Sequence, residues 1–427
     1  MNRYIYSLLL YLALPIVPLK LLWRGIKQPA YRQHWGERFG FYTVKISKPV
    51  IWLHCVSVGE TRAAEPLVRA LQQQYPQHQI LLSHGTPTGR DASEALFGDS
   101  IQRVYLPYDC PFAVNHFLRH FQPKIGLIME TELWFNLIAA CKHHYIPLLL
   151  LNARLSQKSA SGYAKLGQLV REGLQNLSAI AAQTNEDAAR LQNLGAHNIS
   201  VAGNLKFDVK PPVDAANKGL QLRTFFGKNR PIFLAASTRE GEEALVLAAI
   251  KGLNVLTVIV PRHPQRFEEV EALIKHAGLV CQRRSQLNGA IQANTQVILG
   301  DSMGELFSYY AACDFTFIGG SLLPFGGQNL IEAATMGKPI LIGEHTFNFA
   351  DASNNAVKSG AAIRVKDAAD LRKQIEYLLS HQAKCQAMSQ AALQFSAAST
   401  GATARLMPLI ATYMNTMNTY SVKSESL

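Results

Sequence analysis

Short apolar runs alternate with helical patterns along almost the whole chain, and this alternation leaves few possible folds. The runs at 50–56, 79–83, 104–106, 125–129, 147–151, 180–182 and 199–201 are rich in Val, Ile, Leu and Ala, with little polar alternation. Strands buried on both faces of a parallel sheet read this way. Between them lie amphipathic or polar helical stretches such as 64–74, 111–120 and 186–194. Val209-Lys210-Pro211-Pro212-Val213-Asp214 then interrupts the pattern with prolines and charges. A second series follows at 232–236, 255–260, 279–282, 297–299, 315–318, 340–342 and 362–365. The chain closes in helical sequence from 367 to about 417 and a polar tail. At 427 residues it exceeds one compact core. The spacing predicts an α/β protein with two Rossmann-like parallel-sheet domains, 24–210 and 211–427, facing across a cleft.

The first 23 residues stand apart. From Tyr4 to Leu19 the chain is apolar except for Ser7, and Leu21-Leu22-Trp23 extends that character. A span needs about 20 apolar residues, and Pro15 and Pro18 should kink this one. No small-x-small cleavage site follows. Segment 1–23 is therefore expected to be a membrane anchor, either spanning or lying in the plane, rather than a buried helix, which would carry a polar stripe. Lys20, Arg24, Lys27, Arg32, Arg38, Lys45 and Lys48 follow, against Glu37 alone. That bias predicts a catalytic body on the cytoplasmic side. The net charge of +12 calls for an acidic partner. No nucleic-acid motif is present, so anionic lipid or a phosphorylated substrate is favoured. The six cysteines are scattered without a C-x-x-C pair, which fits a reducing compartment and argues against a zinc site.

Functional residues should gather where strands end and helices begin. Glu60 follows the first run in Ser57-Val58-Gly59-Glu60-Thr61, where the helix dipole favours an ionised carboxylate. As an alternative it is an ordinary acid in a first turn. Glu130 and Glu132 follow a later run directly, and one of them can cap the next helix. His84-Gly85-Thr86-Pro87-Thr88-Gly89-Arg90 reads equally as a ligand loop with Arg90 facing an anion or as a plain turn. Lys206 stands just before the proline break, placed to meet developing negative charge. In the second half, Gly319-Gly320-Ser321 ends a run, and Gly326-Gly327-Gln328-Asn329-Leu330-Ile331-Glu332 opens a helix. Arg262 and His263 follow another run, and Asp301-Ser302-Met303-Gly304-Glu305 a third. Three such loops favour a nucleotide site, with backbone N–H groups at 326–329 meeting phosphate and Glu332 reaching ribose. Neither G-x-G-x-x-G nor the Walker loop is present. No His or Asp cluster has metal spacing, so no metal is expected.

These residues together resemble the 3-deoxy-D-manno-octulosonic acid (Kdo) transferase family of lipopolysaccharide biosynthesis, nearly end to end. The resemblance is carried by Tyr31-Arg32-Gln33-His34-Trp35-Gly36-Glu37-Arg38-Phe39-Gly40, by SVGET at 57–61 and by YLPYD at 105–109. It continues in IMETELW at 128–134, NARLS at 152–156, LKFD at 205–208, VPRHPQRF at 260–267, DSMGEL at 301–306 and HTFNF at 345–349. It implies a GT-B glycosyltransferase with CMP-Kdo as donor, lipid IVA as acceptor and no metal for donor binding. It also implies residence at the cell inner membrane, among anionic lipids. Carried over by position, Glu60 becomes the base, and Glu130 and Lys206 stabilise the transition state. Arg262, His263, Met303, Gly304, Glu305, Asn329, Leu330, Ile331 and Glu332 become the CMP site. Many relatives have proline where this chain has Phe135 and Leu330, and histidine where it has Gln328. Two rival readings share the layout: a membrane-associated transferase using a UDP-sugar, and a sugar-nucleotide-binding scaffold without turnover.

Overall fold

The structure, a computed structural model, describes residues 1–208 and 210–424. Val209, at the expected break, and the last three residues of the expected tail lie outside the described residues.

Two seven-stranded sheets form, parallel throughout. The first holds β1 (Val50–Cys55), β2 (Gln79–His84), β3 (Gln102–Tyr105), β4 (Ile125–Met129), β5 (Leu148–Ala153), β6 (Ala179–Ala182) and β7 (Ile199–Val201). Their order is β3-β2-β1-β4-β5-β6-β7. The second holds β8 (Ile232–Thr238), β9 (Leu256–Pro261), β10 (Cys281–Arg283), β11 (Val297–Leu299), β12 (Phe315–Ile318), β13 (Ile340–Ile342) and β14 (Ala362–Arg364), in the order β10-β11-β9-β8-β12-β13-β14. Each run expected as a strand is one, with ends moved by one or two residues. The central strands are buried along their whole length, as β1, β4 and β12 show. Chain order reverses between β1 and β4 in one sheet and between β8 and β12 in the other. Loops leaving such a pair diverge to opposite faces and open a crevice at the strand carboxyl ends.

The first unit ends within two residues of the expected boundary, but the assignment of the whole stretch 211–427 to the second domain needs a correction. One compact unit holds Met1–Asp208 together with the chain from Thr400 onward, and the other ends at Ser399. The last helix, Ala402–Ser424, covers most of the expected tail and returns to the first unit. Its Ala402, Leu406, Ile410 and Met414 recur every four residues and share a core with Leu67, Val68 and Leu71 of the helix Val58–Gln74. Asp208 secures its start: Oδ1 accepts the N–H groups of Gly401 (2.6 Å) and Ala402 (3.2 Å), and Oδ2 that of Thr403. These N–H groups have no partner within the helix. Asp208→Ala should cost about 1–2 kcal/mol. Urea unfolding and faster amide exchange at 402–414 will read that loss, and unchanged exchange there would refute the clamp.

At the amino end, two helices, Arg3–Ala13 and Ile16–Lys27, meet at 56°. Pro15 caps the second, so the break falls at an expected kink. Among the described residues no single helix is long and apolar enough to cross a membrane; this pair passes that test only jointly. The first helix buries no residue, contrary to a core helix. Leu8, Leu12, Ile16, Leu19, Trp23 and Ile26 are exposed. The limit set at residue 23 falls inside the second helix. Nor is the segment separate: Tyr6 donates its hydroxyl to buried Asp109 (2.9 Å) and Ser7 donates to Asn136 Oδ1 (2.9 Å), stapling the first helix to the first unit.

Candidate active site

In the first unit, Ser57 ends the extended segment after β1 and caps the helix Val58–Gln74. Its hydroxyl accepts the Glu60 N–H (3.4 Å) and donates to Glu60 Oε1 (3.1 Å). The Val56 N–H donates to Glu60 Oε2 (2.7 Å). The reciprocal cap holds the carboxylate at the strand end, yet each oxygen keeps a lone pair. Glu60 is 8% exposed. Burial pushes its pKa up to about 7; the Val56 N–H and Ser57 hydroxyl oppose that rise, while Glu130 and Glu132 add to it. The dipole argument, which favoured a fully ionised group, is outweighed by loss of water.

Glu130 follows β4 directly, in the left-handed region at φ 59°. Its N–H donates to the Leu151 carbonyl (2.9 Å). Its carboxylate lies 3.4 Å from Lys206 Nζ, both side chains 26% exposed. Lys206 rides on a short turn, Leu205–Phe207. That turn is fixed by Asn152, whose Oδ1 accepts the Leu205 N–H (2.9 Å), and by Asn204, which accepts the Lys206 N–H (2.9 Å). Asn152 also has positive φ, 54°, so two strained strand ends meet at this pair. Glu132 completes the group. Burial, then the Glu130 charge, pushes it up to about 7. Glu60, Glu130 and Lys206, far apart in sequence, are thus brought together beyond strand ends of the first sheet: Glu130 pairs with Lys206, and its charge acts on Glu60. Arg90 does not face an anion site: it pairs with Glu37 at 2.8 Å. His84 is buried between the Cys55 carbonyl (3.1 Å) and Ser93 (3.0 Å), a structural role.

In the second unit the expected nucleotide residues occupy loops after β9, β11 and β12. The Arg262 N–H donates to the Thr238 carbonyl (3.0 Å), and His263 is exposed. Partial desolvation, then Arg239, Arg262 and Arg266, lowers the His263 pKa. Met303 is exposed, Gly304 turns with φ 79°, and Glu305 is held by Arg284 (3.0 Å). Asn329 accepts the Ile331 N–H (3.0 Å) and donates to Glu332 (3.1 Å).

Two expectations change here. The side chains of Leu330 and Ile331 are buried in the core, so only their backbone can serve a ligand. The N–H groups of Gly327 and Gln328, expected to meet phosphate, already donate to the carbonyls of Gly320 (2.6 Å) and Gly319 (3.0 Å). Leu330, where relatives have proline, still takes helical dihedrals, φ −81° and ψ −13°. Proline would preset that geometry but is not required for it.

One group escaped the sequence reading. Glu242, at the start of the helix Glu242–Ile250, is fully buried and accepts four backbone N–H groups, from Arg239, Gly320, Ser321 and Leu322. Burial raises its pKa and these four donors oppose the rise. The available signal was the polar run Ser237-Thr238-Arg239-Glu240-Gly241-Glu242-Glu243 directly after a strand. Among the described residues no three His, Cys, Asp or Glu side chains converge as a metal-binding group would.

Comparison with known proteins agrees with this layout. Residues 33–209 match the family model for 3-deoxy-D-manno-octulosonic-acid transferase (kdotransferase), and residues 252–395 that for glycosyl transferases group 1. The chain is 42% identical to the 3-deoxy-D-manno-octulosonic acid transferase of Bordetella pertussis, over 95% of this chain and 98% of that one. It is 39% identical to that of Haemophilus influenzae, over 97% and 99%. Among solved structures, a glycosyltransferase from Rickettsia africae shares the fold, with a TM-score of 0.56 at 16% identity, covering 87% of this chain and 99% of that one.

Proposed function

The chain belongs to the 3-deoxy-D-manno-octulosonic-acid transferases, and from that membership we propose that it moves Kdo from CMP-Kdo to lipid IVA, with Glu60 as the base. The observation that carries this reading is the buried Glu60 carboxylate, tuned to about 7 and flanked by the Glu130–Lys206 pair. A base near the working pH both holds the right protonation state and accepts a proton readily.

In the proposed reaction a sugar hydroxyl of the acceptor gives its proton to Glu60 as its oxygen attacks the anomeric carbon of Kdo. The bond from that carbon to the CMP phosphate breaks, and CMP leaves with the electron pair. Lys206 supplies positive charge in the acceptor unit, and Glu130 orients it. Arg262 and the loops at 302–305 and 329–332 hold CMP in the second unit. With the N–H groups of Gly327 and Gln328 committed to Gly320 and Gly319, Arg262 carries more of the phosphate charge in this reading. The reaction is proposed to need no metal. Mass spectrometry of the product from purified protein, CMP-Kdo and lipid IVA tests all of this at once: a mass increase of one or more Kdo units supports it. Transfer from a UDP-sugar, or no product at all, overturns it.

The acceptor is a lipid, and the exposed apolar face of the first two helices suits an in-plane anchor at the cytoplasmic face of the inner membrane. Lys20, Arg24 and Lys27 are exposed beside it. Each basic residue near an anionic surface contributes about 1 kcal/mol. Reversing these three charges should weaken co-sedimentation with anionic vesicles and leave binding to zwitterionic vesicles little changed. Equal losses on both would count against the electrostatic part.

A further inference from the structure

The loop after β8 takes no part in the mechanism above, although β8 borders the point where the second sheet reverses order. Its Glu242 reaches across to the end of β12. Oε1 accepts the N–H groups of Ser321 and Leu322, both at 2.9 Å, and Oε2 accepts those of Gly320 and of Arg239, the latter at 2.9 Å. Three consecutive amides therefore converge on one carboxylate, with Gly320 in the left-handed region at φ 69°. A run of amides curved in this way is the backbone cradle that commonly binds phosphate. Its position, at strand carboxyl ends beside a reversal of strand order, is where α/β sheets take their ligands.

The cradle is joined directly to the expected nucleotide loops. The carbonyls of Gly319 and Gly320 accept the N–H groups of Gln328 and Gly327, one turn before Asn329 and Glu332. A side chain on Gly319 would run into the Ser237 carbonyl, so the ends of β8 and β12 are locked together. One nearby cation is occupied as well. Arg266 grips the fully buried Glu243 through two bonds (2.7 and 3.0 Å), and Glu243 also accepts from Thr238 (2.8 Å).

We propose that Glu242 is a built-in anion that fills this phosphate cradle and so restricts the unit to nucleotides carrying a single phosphate. The inference rests on the reading of the donor as a nucleoside-monophosphate sugar and assigns the residue that enforces it. A second phosphate arriving at 320–322 meets a buried carboxylate, and the three amides there already donate to it. Glu242 is thus a specificity-determining and positioning residue. It orders the loops before the donor arrives and takes the place a diphosphate would use.

Thermal-shift titrations of the full chain with CMP and CDP test this. For the unaltered protein, CDP should bind no more tightly than CMP. In Glu242→Ala the emptied cradle should favour CDP over CMP by about tenfold or more, the worth of one charge-assisted hydrogen bond. Inorganic pyrophosphate should raise the melting temperature of Glu242→Ala and not that of the unaltered protein. Glu242→Gln fills the space but turns an amide donor toward two N–H groups, so it should melt earlier without gaining CDP affinity. The proposal fails if the unaltered protein binds CDP about tenfold more tightly than CMP. It also fails if Glu242→Ala unfolds cooperatively with an unchanged CDP-to-CMP ratio. Should Glu242→Ala not fold, the ratio in the unaltered protein still decides. Binding of UMP and UDP in place of the cytidine nucleotides would overturn the donor reading alone, and their ratio would then test the cradle.

Discussion

Glu60→Gln is expected to lower turnover by about 10²–10⁴-fold, the usual worth of a general base, while CMP protects the variant from thermal unfolding as well as it protects the unaltered protein. The amide keeps the shape and can still accept one hydrogen bond, from either the Val56 N–H or the Ser57 hydroxyl. It cannot take a proton. The pH profile makes the test specific. Burial holds the Glu60 pKa at about 7, so the rate should fall as pH drops through 7 and the carboxylate fills with its proton. That limb should vanish in the variant. Stability moves the other way. The folded value lies above the ordinary 4.5, so the contribution of this group to folding is fully present below about 4.5 and is lost as pH rises through about 7. Stability of Glu60→Gln should therefore depend less on pH in that window. Near-normal turnover of the variant at pH 8 would show that another group takes the proton.

The second large effect is expected from Lys206→Ala: a loss of about 10²–10³-fold in turnover, comparable to removing one preorganised donor at a developing charge. More than one charge is lost. Lys206 lies 3.4 Å from Glu130, and Glu130 raises the pKa of both Glu60 and Glu132. Without the ammonium, the Glu130 field acts unopposed on its two carboxylate neighbours. The acid limb of the rate profile should then move to higher pH. Lys206→Arg keeps the charge and should keep the limb in place, with part of the activity. A full loss of rate with the limb unmoved would mean that Lys206 acts only on the substrate. Unchanged rate and unchanged limb together would remove it from the site.

The alternation of apolar runs and helices determined the strands, their parallel sense and the two-sheet plan. A strand buried on both faces must be apolar throughout, and that signal is local. The strand-end rule also led to Glu60, Glu130 and Lys206, because strand carboxyl ends can be read from where an apolar run stops. Three things were decided only by tertiary structure. The stripe Ala402, Leu406, Ile410 and Met414 marks a buried helix face, but its repeat does not say which sheet it covers; Asp208 and the helix Val58–Gln74 do. Gly327 and Gln328 look like phosphate donors until Gly319 and Gly320, across the turn, take their hydrogen bonds, while Glu242 takes the amides at 320–322. The pKa of Glu60 depends on how much water the fold removes and on carboxylates brought in from another strand. Hydrophobic period is a property of neighbours in sequence. Hydrogen-bond pairing and desolvation are properties of neighbours in space, and for this chain they set which groups remain available for chemistry.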